Sequence, residues 1–520
     1  MALADHLNDD FPLGPWDQAL ISDARDAIDC IMPVPPFADL INKRSAIIIG
    51  RKGAGKSSVL SVYNAIDNMR SRERAFQFLR RRTDLDCFSI VAWDHFHDMV
   101  RTVANNLVFA GDLAPPVEKV EQYWHDKIWD EIFKYYFKVS HQPEFGDAGF
   151  AHAMRSYFNA ETLTHDKPDA LSRARAVFDE ARTRVLAYLA QNKKECCVLF
   201  DNMEEYPIQN NVFKTVVSGL LRCLGRFSAQ NKGIFIIFCL PEEISPFVMT
   251  SSSNVLKDFN RSVHIRWRPG HLLQIAAHRF RLFLELRDPA FHEQFADLDF
   301  SRREHLQKFY GCLMPPKVTN GMGAVEDPIS YIIRHTQLMP RHIIMILNSI
   351  AQRAFARTGG YRSFDEEDIV AGVRECELLV AQNILAPWTV IYPNLLDYMS
   401  KNLADLAPIF TFGELERIAR RFVKHLDWDN HDLMRAMYLM GVLGKVEETE
   451  LQGASTRYKD VYINAHFGFT SGSPEGFPSN ASYCLHPLFS RHYGLTRKGK
   501  ADPRAVYFSG IDEVRLNAPT

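Results

Sequence analysis

The sequence predicts an α/β fold in which a parallel β-sheet is covered by helices on both faces. Three observations carry that expectation. Short apolar runs rich in β-branched and aromatic residues recur at 46–49, 87–93, 196–200, 233–240 and 263–267, as expected of strands buried on both faces. Segments with helical apolar spacing separate them, which suits the crossovers that parallel strands require. A glycine-rich turn at 50–57, GRKGAGKS, joins the first run to the first helical segment.

The first strand, Ala46 to Ile49, is apolar and β-branched, and SSVLSVYNAI from Ser57 has helical spacing. Between them, Gly50, Gly53, Gly55, Lys56 and Ser57 fill the pattern GxxxxGK[ST], and strand, glycine loop and helix together make it a phosphate-binding P-loop. Glycines let the backbone curl until its N–H groups face phosphate oxygens, and the helix N-terminus adds positive potential. The binding stretch is therefore Gly50, Arg51, Lys52, Gly53, Ala54, Gly55, Lys56, Ser57 and Ser58. Lys56 is expected on the β- and γ-phosphates and the Ser57 hydroxyl on Mg²⁺. The fold class is then an α/β P-loop core.

Composition sets the outer bounds. With 520 residues, 46% hydrophobic and 24% charged, the chain has room for about two to four domains and a large core. A net charge of -2 excludes a general polyanion binder, so any nucleic-acid contact must come from a local patch. The 9 cysteines contain no CxxC pair and read as reduced thiols of a cytoplasmic protein. The start, MALADHLNDDFPLG, lacks the apolar core of a signal peptide. No run of about 18 apolar residues suggests a membrane partner.

Residues 1–40 read as a lead-in with a short helix over Asp23 to Ile31 that Pro33, Pro35 and Pro36 stop. After the P-loop helix, RSRERAFQFLRRR at 70–82 is the densest basic run, either a solvated helix face or partner surface or a nucleic-acid contact. Helices are expected at His95 to Phe109, Val117 to Val139 and Ala170 to Gln191, a helical insertion at 95–192. The middle one carries Trp124, Trp129, Phe133, Tyr136 and Phe137, a stripe that reads as core or as a partner-docking face.

The strand CCVLF ends in Asp201. An acid at the C-terminal end of a parallel strand can lie beside a P-loop and hold Mg²⁺, usually through water. Glu204 and Glu205 follow, and either could orient an attacking water as general base. The plain alternative is a strand end with a solvated acidic turn. Arg261 precedes the fifth strand.

From Gly270 the pattern turns helical, with candidates at His271 to Leu286, Arg302 to Cys312, Ile329 to His335 and Pro340 to Arg357. The last opens on proline and ends at Gly359-Gly360, and Ser363 is expected to cap the helix after it. Beyond residue 387, helices at Tyr392 to Leu403, Phe412 to Val423 and Asn430 to Leu443 precede strands at Tyr458 to Phe469 and Tyr483 to Leu488. Three helices and a hairpin are the winged-helix order, a module that binds DNA or protein. The third helix, DNHDLMRAMYLMGVLGKV, has few basic residues, which favours a protein-contact or structural role. The expected organisation is a lead-in over 1–40, the P-loop core over 41–269, a helical region over 270–386, a winged-helix-like domain over 387–500 and a tail over 501–520.

The P-loop, the VLFDNMEE strand, the later strands and the helical lid resemble the AAA+ and STAND P-loop ATPases. The order of core, lid and winged helix is similar to origin-recognition and Cdc6-type initiators and to NACHT/NLR-like STAND proteins, and the motif style resembles bacterial STAND-like ATPases of anti-phage defence. The resemblance implies that GRKGAGKSS is Walker A and VLFD is Walker B, with Asp201 at the metal. Initiator-type enzymes carry a glutamate directly after that aspartate, where this chain has Asn202. Met203-Glu204-Glu205 is closer to the NACHT arrangement, which implies slow hydrolysis with Glu204 or Glu205 as the base. Cys239 falls where a polar sensor residue is usual. Arg261 is placed like an arginine finger acting on a neighbouring subunit, or is a plain surface arginine. Arg341, in MPRHII, looks like the lid arginine that contacts the γ-phosphate, or is a helix-start surface charge.

The resulting expectation is a slow ATPase that binds ATP and Mg²⁺ and acts as a switch through self-association or a partner effector protein. The alternatives are a DNA-binding initiator or loader ATPase using its winged helix, and a nucleotide-binding scaffold with little hydrolysis. Other constellations are thin: His95 and His97 lack further metal ligands nearby, and Cys196 and Cys197 point to opposite faces of one strand.

Overall fold

The computed structural model describes residues 3–17, 20–21, 24–34, 39–41, 46–67, 78, 84–91, 98, 116–141, 147–161, 168–201, 211–245, 262–321, 323–389, 391–403, 406–407, 409–423, 430–447, 462–470, 478–493, 505–508 and 510–514. The chain divides into two compact units, one of 38–49 and 59–263, the other of 1–37, 50–58 and 264–520.

The first unit is built on a sheet of β1 (Ala46–Gly50), β2 (Asp84–Val91), β3 (Lys194–Asp201), β4 (Ile234–Pro241) and β5 (Ser262–His264), in the order β2-β3-β4-β1-β5. β3 runs parallel to both β2 and β4, with Cys197 opposite Cys87 and Phe235. Every residue of β1 and β4 is buried, which is why they appear in the sequence as unbroken apolar runs. β4 lies between the strand that feeds the glycine loop and the strand that ends in Asp201. Those two strands are therefore about 10 Å apart, two interstrand spacings.

Helices Val117–Ser140, Ala148–Glu161, Pro168–Gln191 and Asn211–Gln230 complete this unit. The aromatic stripe is core, with Trp124, Trp129, Phe133 and Tyr136 all at most 1% exposed. Trp124 Nε1 donates to the Val216 carbonyl at 3.2 Å, and Trp129 meets Phe227 at a ring-centroid distance of 5.7 Å. Gly219 permits the close approach: a Cβ there would stand 2.5 Å from Val120 Cγ1. Helix Ala148–Glu161 is absent from the sequence expectations. Asp147 Oδ1 caps it by accepting from Phe150 N at 2.9 Å. The expected helix over 95–109 and the basic run at 70–82 fall outside the described residues, apart from single positions at 98 and 78.

The second unit carries helices Pro269–Arg287, Arg303–Leu313, Pro328–Arg334, Pro340–Thr358, Glu366–Thr389 and Leu395–Asn402. Gly359 ends the fourth of these at φ 71°. Ser363 does not cap the next. Asp365 Oδ1 accepts from Asp368 N at 2.8 Å while Asp368 Oδ2 accepts from Asp365 N at 3.0 Å, a reciprocal cap whose carboxylates also suit the helix dipole. A two-strand ribbon, β6 (Val318–Thr319) and β7 (Val325–Glu326), sits within this helical region.

The C-terminal part holds β8 (Ile409–Thr411), helices Phe412–Val423 and Asn430–Leu439, β9 (Leu443–Val446), β10 (Tyr462–Phe467), β11 (Ser482–Leu485), helix Pro487–Tyr493 and β12 (Ala505–Tyr507). The sheet order is β12-β10-β9-β11-β8. β10 and β11 were expected to pair as a hairpin, yet each pairs antiparallel with β9, which lies between them. β9 is hidden in the sequence because the apolar run MYLMGVLGKV continues the helical pattern; Gly441, at φ 72°, breaks it. The segment read as a tail supplies β12, which runs parallel to β10.

The lead-in belongs to this unit. It forms helices Leu3–His6 and Ala24–Asp29 and buries Leu7, Leu13, Ile28 and Ile31. Arg279, itself buried, donates to the carbonyls of Cys30 at 3.1 Å, Leu13 at 3.2 Å and Pro15 at 3.1 Å.

Candidate functional site

The glycine loop follows β1 at its C-terminal end. Gly53 and Gly55 take φ values of 85° and 93°, a region that side chains with a Cβ rarely enter. Ala54 N donates to the Arg51 carbonyl at 3.0 Å and Ser58 N to the Gly55 carbonyl at 3.1 Å, so the chain curls tightly before entering the helix that begins at Lys56. Left-handed glycines next to helical residues turn successive N–H groups toward one concavity, the geometry of an anion nest. Ala54 is fully buried and anchors the loop from behind. Trp267 Nε1 donates to its carbonyl at 2.8 Å.

Lys56 is 5% exposed. Its Nζ donates to the carbonyl oxygens of Gly50 at 2.9 Å and Arg51 at 3.2 Å, so the ammonium bridges the start of the loop. Ser57 follows in the first helical turn and is half-buried, as are Lys52, Gly53, Gly55 and Ser58.

Arg341 stands over this loop. It lies in the first turn of helix Pro340–Thr358, and a Cβ on Gly53 would stand 3.0 Å from its Cβ and 3.2 Å from its Cδ. Its side chain is 13% exposed. Its Nη2 pairs with Asp17 Oδ2 at 3.0 Å. His342, the next residue, is buried and held neutral: burial pushes its pKa well below the usual imidazole value, and the charges of Arg51 and Arg341 push the same way. Its Nδ1 accepts from Gln337 N at 3.2 Å.

Arg51 is the loop residue whose role the sequence does not disclose. It is 5% exposed, its Nη2 donates to the Met440 carbonyl at 2.6 Å, and its guanidinium lies 5.8 Å from the Phe469 ring centroid. Gln337 Nε2 donates to the same Met440 carbonyl at 2.9 Å and to that of Gly441 at 3.0 Å. Trp267, Asp17 and Gln337 are likewise absent from the sequence-based site. Nothing local marks them, since each acts on a residue far away in the chain.

Four of the remaining sequence candidates cannot be placed against this arrangement, because they fall outside what the structure describes. Asp201 ends β3, and its side chain, with Glu204, Glu205 and Arg261, lies outside the described residues. Cys239, at the sensor position, is fully buried in β4. Among the described residues no cluster of His, Cys, Asp and Glu is arranged to hold a metal ion, and no helix is long and apolar enough to cross a membrane.

No protein-family model matches the chain, and no curated protein matches it. Among solved structures it is similar to the Aeropyrum pernix ORC2 protein in its ADPNP-ADP complexes, with a TM-score of 0.36 and 12% identity, over 79% of this chain and 84% of that one. The ADP form of the same protein gives a TM-score of 0.30 and 11% identity, over 86% of this chain and 85% of that one.

Proposed function

We propose that this chain binds ATP and Mg²⁺ at residues 50–58, hydrolyses the nucleotide slowly, and uses the bound state to switch self-association or the binding of a partner protein. The observation that supports it is the loop itself: left-handed Gly53 and Gly55 leading into a helix that opens on a buried Lys56. That arrangement offers a run of N–H donors and one ammonium to a polyanion, and little else has that charge and shape. Lys56 exchanges the carbonyls of Gly50 and Arg51 for phosphate oxygens. The Ser57 hydroxyl and, at the end of β3, Asp201 are the oxygen donors offered to Mg²⁺. When bound, that ion neutralises charge on the β- and γ-phosphates. Glu204 or Glu205 orients the attacking water, Arg341 reads the γ-phosphate, and Arg261 serves a neighbouring subunit.

The test is calorimetric titration of the full chain and of Lys56→Ala with ADP and a non-hydrolysable ATP analogue in Mg²⁺. Binding by the parent chain that Lys56→Ala abolishes is expected. Equal affinity of the two proteins would sink the reading. Mass photometry under the same conditions reads the switch: assembly is expected with the ATP analogue and not with ADP.

One observation favours a second reading, a duplex-DNA-binding ATPase. Arg417, Arg420 and Arg421 stand exposed on helix Phe412–Val423, at spacings that put them on one face. With Gly413 and Glu416 they line a cavity of about 340 Å³. Arginines so grouped suit phosphodiester oxygens. If they contact DNA, replacing all three with alanine weakens binding and lowers the salt slope by about 1 per arginine removed. Binding that is unchanged in affinity and slope would exclude this face.

A further inference from the structure

Arg341 already has an anionic partner inside the molecule, and that partner is held in place by construction. The ion pair joins Arg341 Nη2 to Asp17 Oδ2 at 3.0 Å, with side chains 13% and 38% exposed. Asp17 ends a strap whose preceding residues are clamped. Leu13 N donates to Asn348 Oδ1 at 2.7 Å and Asn348 Nδ2 donates to the Gly14 carbonyl at 3.0 Å. Arg279 holds the carbonyls of Leu13 and Pro15 from the other side, and Tyr361 donates its hydroxyl to Asp9 Oδ1 at 3.0 Å. Asn348 and Arg279 are 3% and 5% exposed, so the strap is fixed by buried side chains and delivers its carboxylate to one place. The same Arg341 packs its Cβ, Cδ and Nε against Gly53 at the turn of the glycine loop.

The loop, the arginine and the acid therefore form one series. A guanidinium offers a planar fork that matches a carboxylate and a phosphate equally well. A terminal phosphate seated in the loop that reached Arg341 would have to compete with a carboxylate of like charge already at its Nη2. Building on the nucleotide reading above, we propose that Asp17 is an internal competitor for Arg341. Its carboxylate takes the edge that a terminal phosphate needs, so the strap sets how strongly the site prefers a triphosphate over a diphosphate. Asp17 is a positioning residue, because it acts through Arg341.

The experiment titrates the full chain, Asp17→Asn, Asp17→Glu, Arg341→Ala and the double variant Asp17→Asn/Arg341→Ala with ADP and with a non-hydrolysable ATP analogue. Urea unfolding of each verifies folding. Asp17→Asn is expected to tighten the triphosphate about fivefold, the scale of a part-exposed ion pair, and to leave ADP affinity unchanged. Asp17→Glu restores the parent ratio, and the double variant matches Arg341→Ala. A merely structural strap would move both nucleotides together or lower the urea midpoint. If the parent chain binds and Asp17→Asn leaves the ratio unchanged or weakens the triphosphate, the competitor role is overturned and the nucleotide reading stands. If the parent chain binds neither nucleotide, both are overturned. Should Asp17→Asn fail to fold, Asp17→Ser replaces it with the same expected ratio.

Discussion

Arg51 Nη2 and the carbonyl oxygen of Met440 are joined by a 2.6 Å hydrogen bond, which ties the residue after β1 to the turn that ends helix Asn430–Leu439. That carbonyl also accepts from Gln337 Nε2 at 2.9 Å. The turn is under a second constraint, because Val442 N donates to the Met437 carbonyl at 3.0 Å. A buried hydrogen bond from a charged donor contributes about 1.5–3 kcal/mol. Arg51→Ala is expected to lower unfolding free energy by that amount in urea and to speed amide exchange over residues 440–446. Arg51→Lys recovers only part of it, since a point charge cannot reproduce the fork. Unchanged exchange in Arg51→Ala would mean that the loop and this turn are not coupled.

Trp267 makes a different kind of contact with the loop. Its Nε1 donates to the Ala54 carbonyl at 2.8 Å, and the indole is 7% exposed. Trp267→Phe keeps the ring and deletes the donor, a loss of about 1 kcal/mol. The loop then holds its curl less firmly, and ATP and ADP affinities are expected to fall together, by about fivefold. On the nucleotide reading proposed above, the indole braces the loop as a whole and does not favour one nucleotide over the other. A change in one nucleotide only would contradict this account.

β1, β3 and β4 are legible in the sequence because largely buried strands leave apolar runs with little interruption, whereas β5 covers only Ser262–His264, not the apolar run over 263–267, and is exposed at both ends. GxxxxGK[ST] marks the loop by glycines and lysine at fixed spacing. What the sequence withholds follows from the same logic. Asp17 and Arg341 are 324 residues apart and Arg51 and Met440 are 389 apart, and no local periodicity encodes such partners. Helix Ala148–Glu161 buries Phe150, Ala153 and Met154 on a narrow face, a weak pattern for its length. β9 is missed because a left-handed Gly441, not a change in hydrophobicity, ends the helix before it.

Glu326 and Arg334 form a fully internal pair, 1% and 7% exposed. Arg334 donates Nε to Glu326 Oε2 at 2.7 Å and Nη2 to Oε1 at 2.9 Å. Asn320 Nδ2 and the Tyr507 hydroxyl donate to the same carboxylate at 2.6 and 2.9 Å. Truncating the acid removes the acceptor that these four hydrogen bonds share. Glu326→Ala is expected to cost about 3–5 kcal/mol, and Tyr507→Phe, which removes one of four donors, about 1 kcal/mol. Urea denaturation of the two variants should preserve that order. A loss below about 1 kcal/mol in Glu326→Ala would show that solvent reaches the site.

Buried imidazoles are expected to weaken the fold in acid. His486 donates from Nε2 to the Thr336 carbonyl at 3.1 Å and accepts at Nδ1 from Leu488 N at 3.3 Å, a neutral tautomer that burial holds at a pKa of about 3. Burial likewise lowers His278 to about 4 and takes His335 and His342 well below 6.5. A group whose pKa is depressed on folding contributes stability above its unfolded pKa and loses it as pH falls toward the folded one. Glu377 works the other way: burial raises it to about 7, so its contribution is greatest below 4.5 and is gone by about pH 7. His335 Nε2 lies 3.4 Å from Glu377 Oε1, so those two titrate as a pair. His278, His342 and His486 carry the trend, and the urea midpoint is expected to fall from pH 6.5 toward 4.5, with His486→Gln flattening the slope. A midpoint that rises on acidification would mean that these imidazoles are charged in the folded chain.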